Sequence, residues 1–515
     1  LNVLQSNIIK SPMPEQYWSE NKSDKELDPI SSLLSEWSDP EEEEEEFRSD
    51  FFQGLSGRRR KAAFLLMLIW SLTIALHLVT WGYWLVTGLT GFLLIQALRL
   101  VAAKPEAHPE ALSDEALAMA PSISLLVAAK NEEAVITKLV TILCDLDYPK
   151  DKYEVWIVDD HSTDRTPIIL AELAQQYPQL KVMQRPANAG GGKSGALNQI
   201  LPLIQGEIVG VFDADAQVTR DLLRRVAPLF EQPEMGAVQV RKAIANAPVN
   251  FWTKGQMAEM ALDTYFQQQR IAIGGIGELR GNGQFVRRCA LERCGGWNEQ
   301  TITDDLDLTI RLHLDDWKIG CLVFPSVQEE GVTSPIALWH QRNRWAEGGY
   351  QRYLDYWRFI FSQRIGLSKK VDLVSFLLMQ YILPTAAIPD FLMTVTYHEL
   401  PILTPLTSLS LSLSFWAMFT GLRRTQSGAT EIAGNRQQAS PHPLNSPEGG
   451  LLFMRNKLRF LGVLVGQSLR GIIYMMHWFA IIPSITARMS VRPKRLKWVK
   501  TVHEGSEEEM TAREA

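Results

Sequence analysis

Polar and apolar residues are sharply segregated along this chain. The run 62–103, AAFLLMLIWSLTIALHLVTWGYWLVTGLTGFLLIQALRLVAA, is almost uncharged and about twice the ~20 residues that one helix needs to cross a bilayer. It predicts a hairpin of two spanning helices that breaks near Trp81-Gly82, with Trp70, Trp81 and Trp84 at headgroup level. Its length and its distance from the start set it apart from a signal peptide. Further apolar runs occupy 371–396, 403–422 and 458–487, and a polar segment of about 122–364 separates the two apolar regions.

Inside the polar segment the period shortens. Residues 122–128, SISLLVA, predict a buried strand, and Val135, Ile136, Leu139, Val140 and Leu143 then recur at helical spacing over 133–145. YEVWIV, 153–158, predicts a second strand that stops at Asp159-Asp160. A helix over 166–177 follows, with Pro167 near its first turn, then a strand at 181–184. Another helix starts at about Ser194, and strand 208–212 ends at Asp213. Strands alternating with helices predict an α/β domain with a mostly parallel, Rossmann-like sheet covered on both faces. Ligands of such sheets bind beyond the strand C-termini. LDLTIRLHL, directly after Thr303-Asp304-Asp305, alternates with period two and by itself predicts a strand. ALWHQRNRWAEGGYQRYLDYWRFI predicts an amphipathic helix on a membrane surface, rich in arginine and aromatics.

Charge orients these elements. Arg58-Arg59-Arg60-Lys61 places the start of the first span on the cytoplasmic side, and a two-helix hairpin returns the chain there, so the polar segment is expected to be cytoplasmic. RPKRLKWVK, 492–500, calls for the same side, which three further spans would deny it. One apolar run is therefore expected to be re-entrant or interfacial. The candidates are 371–396, broken by Pro384 and Pro389, and 458–487, which carries Arg459, Gln467, Arg470 and His477. The expected organisation is an acidic, unstructured region 1–60, the hairpin 61–103, a cytoplasmic α/β domain 118–335 and interface helices 336–368. A spanning region 371–422, a polar linker 423–457, a spanning or re-entrant helix 458–487 and a basic-then-acidic tail 488–515 complete it. Net charge is −6 with no basic block in the polar domain, which argues against a nucleic-acid partner. Cys144, Cys289, Cys294 and Cys321 lack metal-type spacing and are expected to be reduced.

Two chemistries compete for ANAGGGKSGALN, 187–198. With Ala at its first position it fits a Walker A pattern, and EIVGVFDAD could pass for the matching Walker B strand. The element order speaks against an ATPase, because two strand–helix units precede the loop and its acidic strand end reads Asp213-Ala214-Asp215. Two carboxylates one residue apart at a strand end can share Mg²⁺ or Mn²⁺ with a nucleotide diphosphate. The glycines would let Lys193 approach that diphosphate or a base. Asp159-Asp160-His161-Ser162-Thr163-Asp164 is a second acidic strand end, and Thr303-Asp304-Asp305 a third acidic group. Gly281-Asn282-Gly283 is a turn where a substrate could approach the backbone, or an ordinary hairpin.

In this order, VAAKNEE, VDDHSTD, GGGKSGALN, DAD, GNG, TDD and QRNRW resemble the inverting family-2 glycosyltransferases of the GT-A fold. The likeness is to their membrane-embedded branch, which includes cellulose and hyaluronan synthases. ELDPISSLLSE, QVRKAIANA, WTKGQMAEM, HQRNRWAEGGYQRYLDYW and MSVRPKRLKWVKTVH further resemble the cyanobacterial lipid glucosyltransferases of that branch. The resemblance implies UDP-glucose as donor and diacylglycerol in the bilayer as acceptor, in a multi-pass protein of the plasma or thylakoid membrane. It implies that Asp159 and Asp160 hold uracil or ribose beside Asn131 and Glu133, and that Lys193 contacts the nucleotide. Asp213 would lie on the ribose-diphosphate side, Asp215 on the metal, and Arg344 on the leaving diphosphate. Asp305 would be the general base, with Asp304 standing where the family often has Glu. Gly281, Asn282, Gly283, Gln341 and Trp345 would line the acceptor. A processive polysaccharide synthase, a ceramide or sterol glucosyltransferase, and a non-catalytic membrane scaffold are the remaining alternatives.

Overall fold

The computed structural model describes residues 57–434 and 447–491; the region 1–56 with its acidic run, 435–446 of the polar linker and the tail from 492 lie outside the described residues. Two apolar helices open it, α1 (Arg58–Leu78) and α2 (Gly82–Ala102). The chain reverses over 79–81, and a Cβ on Gly82 would stand 1.9 Å from the Leu76 carbonyl oxygen, so this hairpin closes only on glycine.

The polar segment then builds β1 (Ile123–Ala129), α3 (Ile136–Cys144), β2 (Tyr153–Asp159), α4 (Thr166–Gln176), β3 (Leu180–Gln184), α5 (Gly192–Ile200) and β4 (Ile208–Phe212). After α6 (Leu222–Val226) come β5 (Met235–Ile244), α7 (Phe251–Ala272), β6 (Gln284–Arg287), α8 (Arg288–Arg293), α9 (Asp304–Leu314) and β7 (Lys318–Glu329). The seven strands run in the order β3-β2-β1-β4-β6-β5-β7, with β6 antiparallel to β4 and β5 and the other pairs parallel. Alternate residues of β1 feed opposite cores: Leu125 and Val127 pack with Leu139, Val140 and Leu143, while Leu126 packs with Leu197, Ile200, Val211 and Trp297. Burial on both faces explains why these strands read as unbroken apolar runs.

LDLTIRLHL is helix, not strand: α9 holds all of it. Its alternating polar residues are buried with partners inside the protein: Thr309 donates to the Asp305 carbonyl, His313 meets the Gly277 carbonyl, and Asp307 and Arg311 pair with each other. Asp307 receives Arg311 Nε at 2.7 Å, one helical turn away, along with Asn298 Nδ2 at 2.9 Å and the Tyr356 hydroxyl at 2.8 Å. A period-two pattern implies a wet face only when its polar residues meet water, and here they meet buried protein partners. The three aspartates of the first turn also suit a helix N-terminus.

Helix α10 (Pro335–Ile360) carries QRNRW; Ser334 caps it, its hydroxyl accepting the Ala337 N–H at 3.2 Å. It is followed by α11 (Leu367–Tyr397, with a π-helical turn at Leu378–Ile382), α12 (Thr404–Gly434), α13 (Pro447–Met475) and α14 (Trp478–Val491). Small residues set the packing of α7 on α12 and α13. A Cβ on Gly421 would stand 2.2 Å from the Ala261 carbonyl, and one on Gly471 would stand 2.8 Å from the Ala258 Cβ. Four described stretches are long and apolar enough to cross a membrane: Arg58–Leu78, Gly82–Ala102, Leu367–Tyr397 and Lys457–Val491. Both runs expected to harbour the exception, 371–396 and 458–487, therefore qualify. The run 403–422, diluted by serines that alternate with its leucines, is not one of the four.

Candidate active site

The C-terminal ends of β1 and β2 meet in a laced loop. Asn131 adopts a left-handed backbone (φ 53°); its N–H donates to Ser162 Oγ at 2.8 Å and its Oδ1 accepts the Thr163 N–H at 2.7 Å. Glu133 Oε2 accepts the Arg165 N–H at 3.0 Å, and the buried Asp159 accepts the Ser162 N–H at 3.2 Å. These three side chains shape the 160–165 loop. Asp160 stands at its edge as an anion facing two cations, Arg185 at 2.5 Å and Lys130 at 3.9 Å. Arg185 also donates to Gln199 Oε1 at 3.1 Å, to the Gly192 carbonyl at 3.2 Å and to the Gly190 carbonyl. One guanidinium thus ties the Asp160 strand end to the glycine turn.

That turn needs glycine for two reasons. Gly191 and Gly192 have φ of 79° and 50°, and a Cβ on Gly191 would collide with Glu299 Oε2 at 2.3 Å. The turn follows β3, at the edge of the sheet, and starts α5, from which Lys193 Nζ reaches Asp213 Oδ1 at 2.5 Å. Asp213 lies deep in the cleft yet remains open to it, with 43% of its side chain accessible. Burial would raise its carboxyl, but the charges of Lys193, Lys242 and Arg344 hold it below the usual carboxylate range. Asp215 Oδ2 accepts the Glu330 N–H at 2.8 Å, and Asn282 Oδ1 accepts the Asp213 N–H at 3.2 Å. The turn 281–283, with φ of 78° at Gly281 and 73° at Gly283, is thereby docked against the DAD strand end.

The start of α9 closes the cleft from the other side. Asp305 and Asp304 are adjacent but face different neighbours. A Cβ on Gly281 would lie 3.5 Å from Asp305 Oδ2, and Asp305 Oδ1 accepts the Leu306 N–H at 2.8 Å. Burial, then the negative charge of Asp304, pushes the Asp305 carboxyl up to about 6, against the pull of Lys242 and Arg280. Asp304 is raised too, by burial and by Asp213 and Asp307, with Lys193 opposing; its Oδ2 is buried with no hydrogen-bond partner. Arg344 lies within electrostatic reach of Asp213, Asp305 and Asp304, and burial lowers its guanidinium despite them. Residues from four separate elements thus converge: Lys193 of α5, Asp213 at the end of β4, Asp304 and Asp305 of α9 and Arg344 of α10 form one charged cluster, and Asp160 joins it through Arg185 and the glycine turn. Among the described residues, no group of three His, Cys, Asp or Glu side chains could hold a metal by itself.

Trp345, one residue on, is half-buried, and Gln341 Oε1 accepts from Arg342 Nη1 at 2.7 Å. The Trp345 ring has the Arg342 guanidinium 3.9 Å and the Lys242 ammonium 5.2 Å from its centroid. Lys242 is paired with Glu329 at 2.9 Å, and Glu329 also receives Asn282 Nδ2 at 3.4 Å. Arg185, Lys242 and Arg280 were not anticipated. They lie on or beside strands; Lys242 falls in QVRKAIANA, which carried the resemblance without a role, and Arg185 and Arg280 fall in none of the stretches that carried it. The one visible cue was a lysine and arginine pair, Arg241-Lys242, at the end of an otherwise apolar strand pattern.

Residues 124–295 match the model of the family described as Glycosyl transferase family 2. Over 498 residues the chain is 60% identical to the beta-monoglucosyldiacylglycerol synthase of Synechocystis sp., covering 96% of this chain and 98% of that protein. Over 497 residues it is 59% identical to the protein of the same name from Trichormus variabilis, covering 96% and 100%. Among solved structures, the mannosyltransferase PcManGT from Pyrobaculum calidifontis, in complex with GDP-Man and Mn²⁺, aligns with a TM-score of 0.46 at 19% identity. That alignment covers 79% of this chain and 98% of that one.

Proposed function

We propose, from the premise that this chain belongs to glycosyl transferase family 2 and within it to the beta-monoglucosyldiacylglycerol synthases, that it is an inverting glucosyltransferase. The donor is UDP-glucose, the acceptor the sn-3 hydroxyl of 1,2-diacylglycerol, and the product β-monoglucosyldiacylglycerol. The observation that carries the reading is the meeting of Lys193, Asp213, Asp304, Asp305 and Arg344 in one cleft, at the foot of a helix that also bears Trp345.

Asp160 and its loop hold the nucleoside, and Lys193 faces the diphosphate. Asp305 takes the proton of the acceptor hydroxyl as it attacks the anomeric carbon from the side opposite the leaving group. Its Oδ2 is the oxygen turned toward the Gly281 turn, so the acceptor enters there. Asp304, which feels the charges of Lys193 and Asp213, is assigned to the donor side, so that the two adjacent carboxylates differ in task. Negative charge gathers on the departing UDP, where Lys193, Lys242 and Arg344 offset it. Asp215 and Asp213 suit Mg²⁺, or Mn²⁺, if the diphosphate completes the oxygen set, since the two carboxylates alone are too few. When bound, the ion would neutralise the leaving group.

The apolar stretches support an acceptor that lies in the bilayer. We read the four apolar stretches as spans, with the α/β domain between them on the cytoplasmic side, a reading that the basic run 58–61 supports. The deciding experiment gives purified protein labelled UDP-glucose or UDP-galactose, Mg²⁺ and diacylglycerol, and identifies the lipid product. One hexose in β-linkage on diacylglycerol is expected; a polymer would establish the processive reading instead.

A further inference from the structure

Below the cleft, on the side of the apolar helices, one buried carboxylate gathers three donors. Glu259, on α7, is 8% exposed. It accepts Arg342 Nη2 at 2.5 Å, the Tyr474 hydroxyl at 3.0 Å and Trp478 Nε1 at 3.0 Å. Tyr474 ends α13 and Trp478 begins α14, so the same carboxylate pins the break between the two C-terminal helices. Tyr474 lies directly on the α7 backbone, since a Cβ on Gly255 would stand 2.2 Å from its ring. Arg342 is fully buried, donates to Tyr474 Oη at 3.2 Å as well, and stacks on the Trp345 ring at 3.9 Å. A guanidinium with no exposure needs its anion. With Glu259 in place, Arg342 is a rigid plate under the indole, while Lys242, held by Glu329, approaches the same ring.

We infer that Glu259 is a positioning residue for the acceptor: through Arg342 it fixes the plane of the Trp345 ring, and through Tyr474 and Trp478 it makes that plane depend on how the C-terminal helices seat. The inference rests on the reading of Trp345 as part of the acceptor pocket. Glu259 touches neither the nucleotide loops nor the charged cluster, so its effect falls on one substrate. A structural role would instead weaken both substrates together.

The test measures KM for diacylglycerol and for UDP-glucose, UDP affinity by calorimetry, and melting temperature, on full-length protein in mixed micelles. Glu259→Gln keeps the shape and loses the charge. It should raise KM for diacylglycerol about tenfold while KM for UDP-glucose and UDP affinity stay within about twofold. Trp478→Phe removes one donor and leaves the Arg342–Glu259 pair; it should raise the same KM about threefold, and it decides the matter should Glu259→Gln fail to fold. Arg342→Lys keeps the charge but loses the planar stack and should resemble Glu259→Gln. An unchanged acceptor KM, or a parallel loss of donor and acceptor affinity, would overturn the inference. Wild-type protein that glucosylates another acceptor and ignores diacylglycerol would instead remove the proposed substrate; the Glu259 effect is then expected on KM for that acceptor.

Discussion

The two walls of the cleft handle charge in opposite ways. On the strand-end wall, Asp160, Lys193, Asp213 and Asp215 sit on short loops at the ends of β2 and β4 and at the start of α5, partly open to the cleft, with glycines shaping the turn between them. On the helix wall, charges are sealed and matched. Glu278 has no exposure and faces Arg352 at 2.9 Å, Arg280 at 2.7 Å and Arg270 at 3.2 Å, with Arg270 shared with Asp372 at 2.9 Å. Arg58, first of the basic run that opens α1, is buried against Asp355 of α10. A topology signal on paper is thus also a clamp between the first apolar helix and the QRNRW helix. The contrast separates two uses of ion pairs: the open ones are where the proposed donor would bind, and the sealed ones hold a framework in register.

The largest effect expected of a single change falls where the walls meet. Asp305→Asn should lower kcat by about 10²–10⁴-fold, the usual contribution of a positioned base, while UDP still binds. Calorimetry with UDP and a labelled-donor assay check this together. Near-normal turnover would move the base elsewhere and dissolve the division of tasks between Asp304 and Asp305.

Glu278→Gln tests the sealed wall. Burial would raise the Glu278 carboxyl, yet Arg270, Arg352 and Arg280 hold it far below its usual range, so the ionised form is built into the fold. Removing that charge takes from Arg352 its carboxylate, while Arg270 keeps Asp372 and Arg280 keeps Asp263; it should cost about 3–5 kcal/mol, seen as a lower melting temperature. Because the depressed carboxyl stays ionised well below pH 4, this contribution should persist across pH 5–8, and the deficit of the variant should be flat over that range.

The two walls were unequally legible beforehand. The strand-end wall follows from local pattern: an apolar run that ends in acid marks a strand C-terminus, and the order of β1, β2, β3 and β4 is the order of those runs. The GT-A class, a mostly parallel sheet with its acidic motifs at one edge, follows with it. The helix wall depends on partners far apart in sequence. Asp307 and Arg311 pair inside α9, and their alternation with leucine resembles a strand until that pairing is known. Glu259 and Arg342, or Arg58 and Asp355, are ordinary amphipathic charges until the chain folds. Asn131 and Glu133 were legible as residents of the first loop, but not as the residues that lace it.

Asp160→Asn probes the open wall and should act more gently. Its carboxylate faces Arg185 and Lys130 and keeps access to the cleft. Neutralising it should raise KM for UDP-glucose about tenfold, with kcat and melting temperature nearly unchanged, because an open pair adds little to stability. A large fall in melting temperature would place Asp160 with the sealed charges and blur the comparison.

The smallest expected effect lies in pH. Asp305 must be ionised to take a proton, and its carboxyl is pushed up to about 6, so kcat/KM should fall as pH drops through about 6. An ordinary aspartate, near 3.9, would hold activity two units lower. Since Asp304 supplies the second-largest push after burial, Asp304→Asn should move this limb to lower pH. The same shift bears on stability with a definite sign. Between about pH 4 and about pH 6 the unfolded chain has given up the Asp305 proton and the folded chain has not, so this residue's contribution to stability falls as pH rises across that window. Asp305→Asn removes the penalty, and at pH 7.5 the inactive variant should melt above the wild type while matching it near pH 4. Equal melting temperatures at both values would mean that Asp305 ionises like an ordinary aspartate.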